Sequence, residues 1–164
     1  MKATVKWNGG VRFTGLASSG VPILMESGVS TEEICQAARP MEMIAIGLAG
    51  CMAMDVLSIL EKKRQKVISY QVMIDAPRSA EYPKVFTSAM ITFIVTGTQI
   101  EERAVLRSIE LAATKYCPAY AMLSNVFPIT IGYEIFEENH GGDKHFLCQG
   151  TWEETEPDDL ASNI

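Results

Sequence analysis

Basic runs are missing from this sequence. The formal net charge is −6, and the 21% of residues that are charged are dispersed along all 164 positions. Without clustered Lys and Arg to neutralise a phosphate backbone, no nucleic-acid partner is expected. Long apolar runs are missing too: the longest uncharged one, Met43 to Met54, stops at Asp55, short of the ~18–20 residues that span a bilayer. No membrane partner is expected. The opening Met1-Lys2-Ala3-Thr4-Val5-Lys6-Trp7 has neither the apolar stretch nor the small-residue cleavage site of a secretory signal. A cytoplasmic location follows as the expectation. In that reducing compartment the four cysteines, Cys35, Cys51, Cys117 and Cys148, are not expected in permanent disulfides, although a cycling pair is allowed. Neither Cys-x-x-Cys nor a tight Cys/His cluster occurs, so neither a metal nor a cofactor is expected. His140, His145 and Cys148 are ligand types, but they stand in a Gly-rich stretch without pattern. There is no internal repeat, and a chain of this length with 48% apolar residues makes one compact domain.

What is present reads as an α+β chain. Ala3, Val5 and Trp7 alternate, Asn8-Gly9-Gly10 turns, Val11 and Phe13 resume the period of two, and Val21 and Ile23 follow Ser19-Gly20. Three short antiparallel strands are predicted. Ser30 and Glu33 have capping-box spacing for a short helix through Ile34 to Ala38. From Pro40 to about Gln65 the chain has no further Pro, is densely apolar and ends in Glu61-Lys62-Lys63-Arg64, cations suited to the negative end of a helix dipole. A helix apolar on nearly every face must be enclosed, and 18.0 kDa offers little to wrap it. A second copy of the chain is the simpler enclosure, which predicts a homodimer.

Val67 to Asp75 and Phe86 to Val95, separated by the Pro-containing Ala76 to Pro83 stretch, read as a hairpin. Thr98 and Glu101 form a second capping box, opening a helix whose Val105, Ile109, Ala112 and Tyr116 recur on one face. Pro118 restarts the helix to Leu123 with Cys117 as N-cap. Ile129 to Ile135 alternate as the last strand. Residues 1–138 are read as the domain and 139–164 as a peripheral or mobile tail.

Two cysteines have unusual helical contexts. Cys51 sits in Gly47-Leu48-Ala49-Gly50-Cys51-Met52, and each interior glycine weakens a helix by roughly 0.5–1 kcal/mol relative to Ala. Close approach of a partner would justify them; tight packing around an inert buried cysteine would as well. Cys117, at a helix N-cap, is placed to be held as thiolate by unpaired N–H groups and the positive dipole end, or to serve as a plain cap. Asp55, one turn after Cys51, is read as a helix-surface or dimer-contact residue. The nine Met residues, several near Cys51, suit either a soft pocket for an organic chain or core filling.

The segment Pro40-Met41-Glu42-Met43-Ile44-Ala45-Ile46-Gly47-Leu48-Ala49-Gly50-Cys51-Met52-Ala53-Met54-Asp55 resembles the first-cysteine helix of the OsmC/Ohr family, in a branch with Pro-Met-Glu ahead of the helix. Lys115-Tyr116-Cys117-Pro118 resembles its second-cysteine motif. The likeness runs from Lys2 to Phe136. It implies an OsmC-like α+β fold, antiparallel sheets packed on a long central helix, made as an intertwined homodimer with the two-cysteine sites at the subunit interface. It also implies a thiol-dependent peroxidase that reduces an organic hydroperoxide or H2O2 and is restored by a dihydrolipoamide-type dithiol. Cys51 takes the attacking role, Cys117 the resolving role, and Arg12 the place of the basic residue that stabilises the first thiolate. Glu42 is the candidate for the carboxylate that orients this Arg. Well-studied relatives carry that carboxylate ten residues before the cysteine, where Met41 stands here. Glu42 is nine before it, about 180° away on a regular helix. That displacement favours the alternative, a non-catalytic thiol sensor or small-molecule binding protein of the same fold.

Overall fold

A computed structural model describes residues 1–27, 36–139 and 141–153. The chain divides into two units, Met1–Ile46 and Gly47–Ile164. The first holds the three expected strands, β1 (Ala3–Trp7), β2 (Arg12–Ala17) and β3 (Pro22–Glu26), in one antiparallel sheet ordered β1-β2-β3. Gly9 and Gly10 turn the first pair at φ +99 and +55, a backbone region that side chains disfavour. The next turn, where Gly20 N–H donates to the Ala17 carbonyl at 3.0 Å, joins β2 to β3 and sets Arg12 directly opposite Glu26. Ala38 makes a parallel bridge to Met25, so the chain is extended where the predicted short helix was to end. Ser30, Glu33 and Cys35 lie outside the described residues.

Helix α1 (Pro40–Lys62) begins in this unit and continues into the second. Its end is set by Arg64, which turns left-handed at φ 58 while Gln65 N–H reaches back to the Leu60 carbonyl at 3.0 Å. The second unit holds a four-stranded sheet ordered β4-β5-β6-β7, from β4 (Lys66–Asp75), β5 (Ala89–Thr98), β6 (Ile129–Glu138) and β7 (Lys144–Trp152). β4 and β5 are the predicted hairpin pair. β5 and β6 run parallel, correcting the expectation of wholly antiparallel sheets. A parallel pair needs a long crossover, and here α2 (Glu102–Leu111), a π-helical turn at Ala112–Tyr116 and α3 (Pro118–Leu123) supply it.

Leu48, Met52, Val56 and Leu60 recur every fourth residue on α1, all within 2% of complete burial. They join Ile91, Phe93 and Val95 of β5, Val105 and Ile109 of α2, and Ile131 and Ile135 of β6 in one core. Each such side chain contributes about 1.5–3 kcal/mol by leaving water. By length and composition alone α1 would also cross a bilayer, with a mean hydropathy of 2.1 over its most apolar window. Its packing into this core is that of a domain's central helix. Only 33% of that window is buried within the chain, and Ile44, Ile46 and Met54 are exposed.

Two further expectations are corrected. Thr98 ends β5 with its hydroxyl donating to the Glu138 carbonyl, and Glu101 caps α2 without a side-chain hydrogen bond, so no capping box forms. β7 occupies Lys144–Trp152, where no element was expected, and pairs antiparallel with β6 as an edge strand. His145 is exposed on it, and His140 lies outside the described residues.

Candidate active site

The α2 stripe buries Val105, Ile109 and Ala112 as its spacing requires, but Tyr116 is 50% exposed. The cause is the π turn: Cys117 N–H donates to the Ala112 carbonyl, five residues back, at 2.8 Å. One residue beyond the α-helical count shifts everything after it around the axis. Tyr116 moves outward and Cys117 inward, to 2% exposure. Pro118 then starts α3, with Cys117 as the expected N-cap, its sulfur accepting from Tyr120 N–H at 3.4 Å.

Facing it is the middle of α1, which Tyr70 of β4 ties to the sheet by donating its hydroxyl to the Ala53 carbonyl at 3.2 Å. The Sγ atoms of Cys51 and Cys117 and a carboxylate oxygen of Asp55 all lie within 4.8 Å of one another. Two cysteines far apart in sequence are thus adjacent, and both are free thiols. Asp55, expected as a helix-surface or dimer-contact residue, is half-buried beside them. Its signal was available: a residue four places after Cys51 on a helix shares its face.

Cys117 departs from the thiolate expected at a helix N-cap. Burial pushes its pKa up, the adjacent Cys51 sulfur adds to the rise, and the N–H groups of Tyr120 and Ala119 oppose it without prevailing. At neutral pH it keeps its proton. Gly47 and Gly50 flank Cys51 on faces where an added methyl group would meet nothing among the described residues, so packing against those residues does not explain them.

In the first unit, Arg12 Nε donates to Glu26 Oε1 at 3.0 Å. The other Glu26 oxygen accepts Gln36 N–H at 3.1 Å. The Arg12 guanidinium and the Gln36 N–H hold the Glu26 carboxyl below the usual carboxylate range. Glu42, the expected orienting carboxylate, instead accepts Arg39 N–H at 2.9 Å and caps the start of its own helix. Among the described residues the carboxylate on Arg12 is Glu26, and the cross-strand register that follows from the Ser18 to Val21 turn between β2 and β3 is the sequence signal that would have found it.

Cys148 lies apart, on β7. Burial and the nearby Glu102 carboxylate raise its pKa, and Tyr133 donates its hydroxyl to Glu102 Oε1 at 2.6 Å.

The model of the OsmC-like protein family matches residues 32–132. Protein YhfA of Escherichia coli K12 is 41% identical over 135 residues, covering 82% of this chain and 98% of its own. The crystal structure of an OsmC-like protein from Mycoplasma pneumoniae superposes with a TM-score of 0.70 at 14% identity, over 82% of this chain and 95% of that one. The organic hydroperoxide resistance protein OhrB of Bacillus subtilis superposes with a TM-score of 0.57 at 12% identity, over 81% and 98%. Both structures share the fold.

Proposed function

The chain belongs to the OsmC-like protein family, and from that membership we propose that it is a thiol-dependent hydroperoxide reductase acting in oxidative-stress defence, with Cys51 as the attacking and Cys117 as the resolving cysteine. The observation that carries this reading is the approach of the two sulfurs to within 4.8 Å. Organic hydroperoxide resistance is the named role of the OhrB protein that shares the fold.

The cycle has three steps. Cys51 thiolate attacks the terminal peroxide oxygen, the O–O bond breaks, and the alkoxide leaves with a proton as alcohol (as water for H2O2), leaving Cys51 as sulfenic acid. The Cys117 sulfur then displaces hydroxide from it, giving a Cys51–Cys117 disulfide and water. An external dithiol of the dihydrolipoamide type returns both sulfurs to thiols by exchange and carries away the oxidation as its own disulfide. Cys117, nearly enclosed and protonated at neutral pH, is suited to wait through the first step. Arg12, fixed by Glu26, is the cation proposed to favour the Cys51 thiolate and polarise the O–O bond.

The protein is proposed to act in the cytoplasm as a homodimer, the second copy covering the exposed apolar residues of α1 and the open sides of Gly47 and Gly50. Purified protein given cumene hydroperoxide and dihydrolipoamide should turn over, and Cys51→Ser should abolish turnover. Failure with every common dithiol would select the second reading, a thiol sensor of the same fold. That reading is favoured by Glu42, which serves its own helix, and by Met41 at the usual carboxylate position.

A further inference from the structure

The three side chains that meet between α1 and α3 are chemically more than a redox pair. Two sulfurs and one carboxylate form a mixed soft and hard donor set, and among the described residues it is the one group of three such donors within mutual reach. From this convergence we propose that the reduced protein binds a single zinc ion through Cys51 Sγ, Cys117 Sγ and one Asp55 carboxylate oxygen.

The geometry is close to what zinc demands. Tetrahedral coordination with Zn–S near 2.3 Å and Zn–O near 2.1 Å puts neighbouring donors roughly 3.6–3.8 Å apart. Donors already within 4.8 Å need to contract by about 1.2 Å at most to reach that spacing, a distance that side-chain rotation covers. The frame around them is fixed. Cys51 and Asp55 stand one turn apart on α1, and Tyr70 anchors that turn at Ala53, between them. Cys117 is set by the π turn before it and by Pro118 after it. Tyr120 N–H already points at Cys117 Sγ, the kind of hydrogen bond that supports a thiolate ligand from behind.

The donor set also selects the ion. Thiolates discriminate against magnesium and calcium, while a carboxylate is a poor ligand for cuprous ion, which leaves zinc as the common ion suited to both. Three protein ligands leave the fourth position open to water. On binding, two S–H bonds break and their protons leave to solvent, two Zn–S bonds and one Zn–O bond form, and no electron is transferred. An occupied site withholds both sulfurs from a peroxide, so zinc and peroxide compete for them. The binding itself rests on the three donors alone and stands apart from the peroxidase reading.

The test is titration of full-length, phosphine-reduced protein with zinc against a chromophoric chelator, and with cadmium while following the ultraviolet thiolate-to-cadmium charge-transfer band. One equivalent should bind. Cys51→Ser and Cys117→Ser should each weaken binding and diminish the band, and Cys148→Ser should leave both unchanged. Asp55→Asn should keep the band and lower zinc affinity by more than about tenfold, a loss that even an outer partner of a ligand can cause. Asp55→Glu should restore part of it, with each variant's fold checked by circular dichroism. Wild-type protein that binds no stoichiometric zinc would overturn the proposal, as would a folded Asp55→Asn variant that binds as wild type, since simple dithiol capture is indifferent to Asp55. Peroxide turnover, assayed separately in chelator-treated protein, reports on the peroxidase reading alone.

Discussion

Oxidation of the Cys51–Cys117 pair should make the protein markedly harder to unfold. Sulfurs within 4.8 Å must close to about 2.05 Å to bond. In doing so they tie off a loop of about 67 residues. The chain-entropy relation for a loop of that size gives about 4.4 kcal/mol of stabilisation at 25 °C, through restriction of the unfolded chain. Against this stands the disturbance of the Cys117 cap on Tyr120 N–H, about 0.5–2 kcal/mol for a good cap and at the low end for sulfur, together with any strain in drawing the helices together. A net gain of about 2–4 kcal/mol is expected, or roughly 4–16 °C in melting temperature for a chain of this size. The assay compares urea and thermal unfolding of diamide-treated and reduced protein at one fixed concentration, with Cys51→Ser as a control that should not respond to diamide. The urea m-value should fall on oxidation, because a cross-linked unfolded chain exposes less surface. If peptide mapping finds no Cys51–Cys117 bond, the placement of the two sulfurs is wrong; a bond with no rise in midpoint would refute the loop-entropy reasoning.

Other predictions concern neighbouring features. The hydrogen bond to the Glu102 carboxylate, with burial behind it, pushes Tyr133 up to about 12. The protonated phenol therefore adds stability that is whole below its ordinary pKa near 10 and fades as pH climbs through about 12; phenolate absorbance of wild type minus Tyr133→Phe should locate that step. Glu26 has the opposite sign: its ionised form is favoured by folding, so the stability difference between wild type and Glu26→Gln should be full above pH 4.5 and shrink as the solution is acidified further, read from melts along a pH series. A Cβ at Gly97 would run into the Lys66 carbonyl and the Ile100 side chain, so Gly97→Ala should cost about 1–3 kcal/mol in urea unfolding. Gly50→Ala meets no obstacle among the described residues and should gain roughly 0.5–1 kcal/mol from helix propensity unless a second copy packs there. Under the proposed dimer it should instead raise the monomer fraction seen by sedimentation, and an unchanged dimer would place the interface elsewhere.

Patterns with a local cause were legible in the sequence. The period-two runs of the first three strands, the helix from Pro40, the hairpin pair and the Pro118 restart each follow from neighbouring residues, and the structure places them within a few positions. What was not legible depends on tertiary contact or on one irregular residue. β7 hides because Gly150 interrupts the alternation of Phe146, Cys148 and Trp152; the glycine is there because Tyr133 of β6 fills the space a side chain would need. The parallel course of β6 follows from the long helical crossover before it, not from any feature of the strand itself. Glu26 and Asp55 carry no motif. One becomes meaningful through strand register and the other through helix phase, and both could have been reached by geometry from residues already singled out.

The segment Ala112–Tyr116 holds one amino acid more than a regular spiral would use. Removing Thr114, whose side chain is exposed, would leave the upstream apolar stripe whole and the chemistry-bearing residues unaltered in kind. It would also make Cys117 the fourth residue after Ala112, bonded to the same carbonyl, so its sulfur would keep its line toward Cys51. The aim of that sulfur is therefore encoded in chain count, so loss of the extra residue at Thr114 should be tolerated, while insertion of a further one, which turns Cys117 by about 100°, should not.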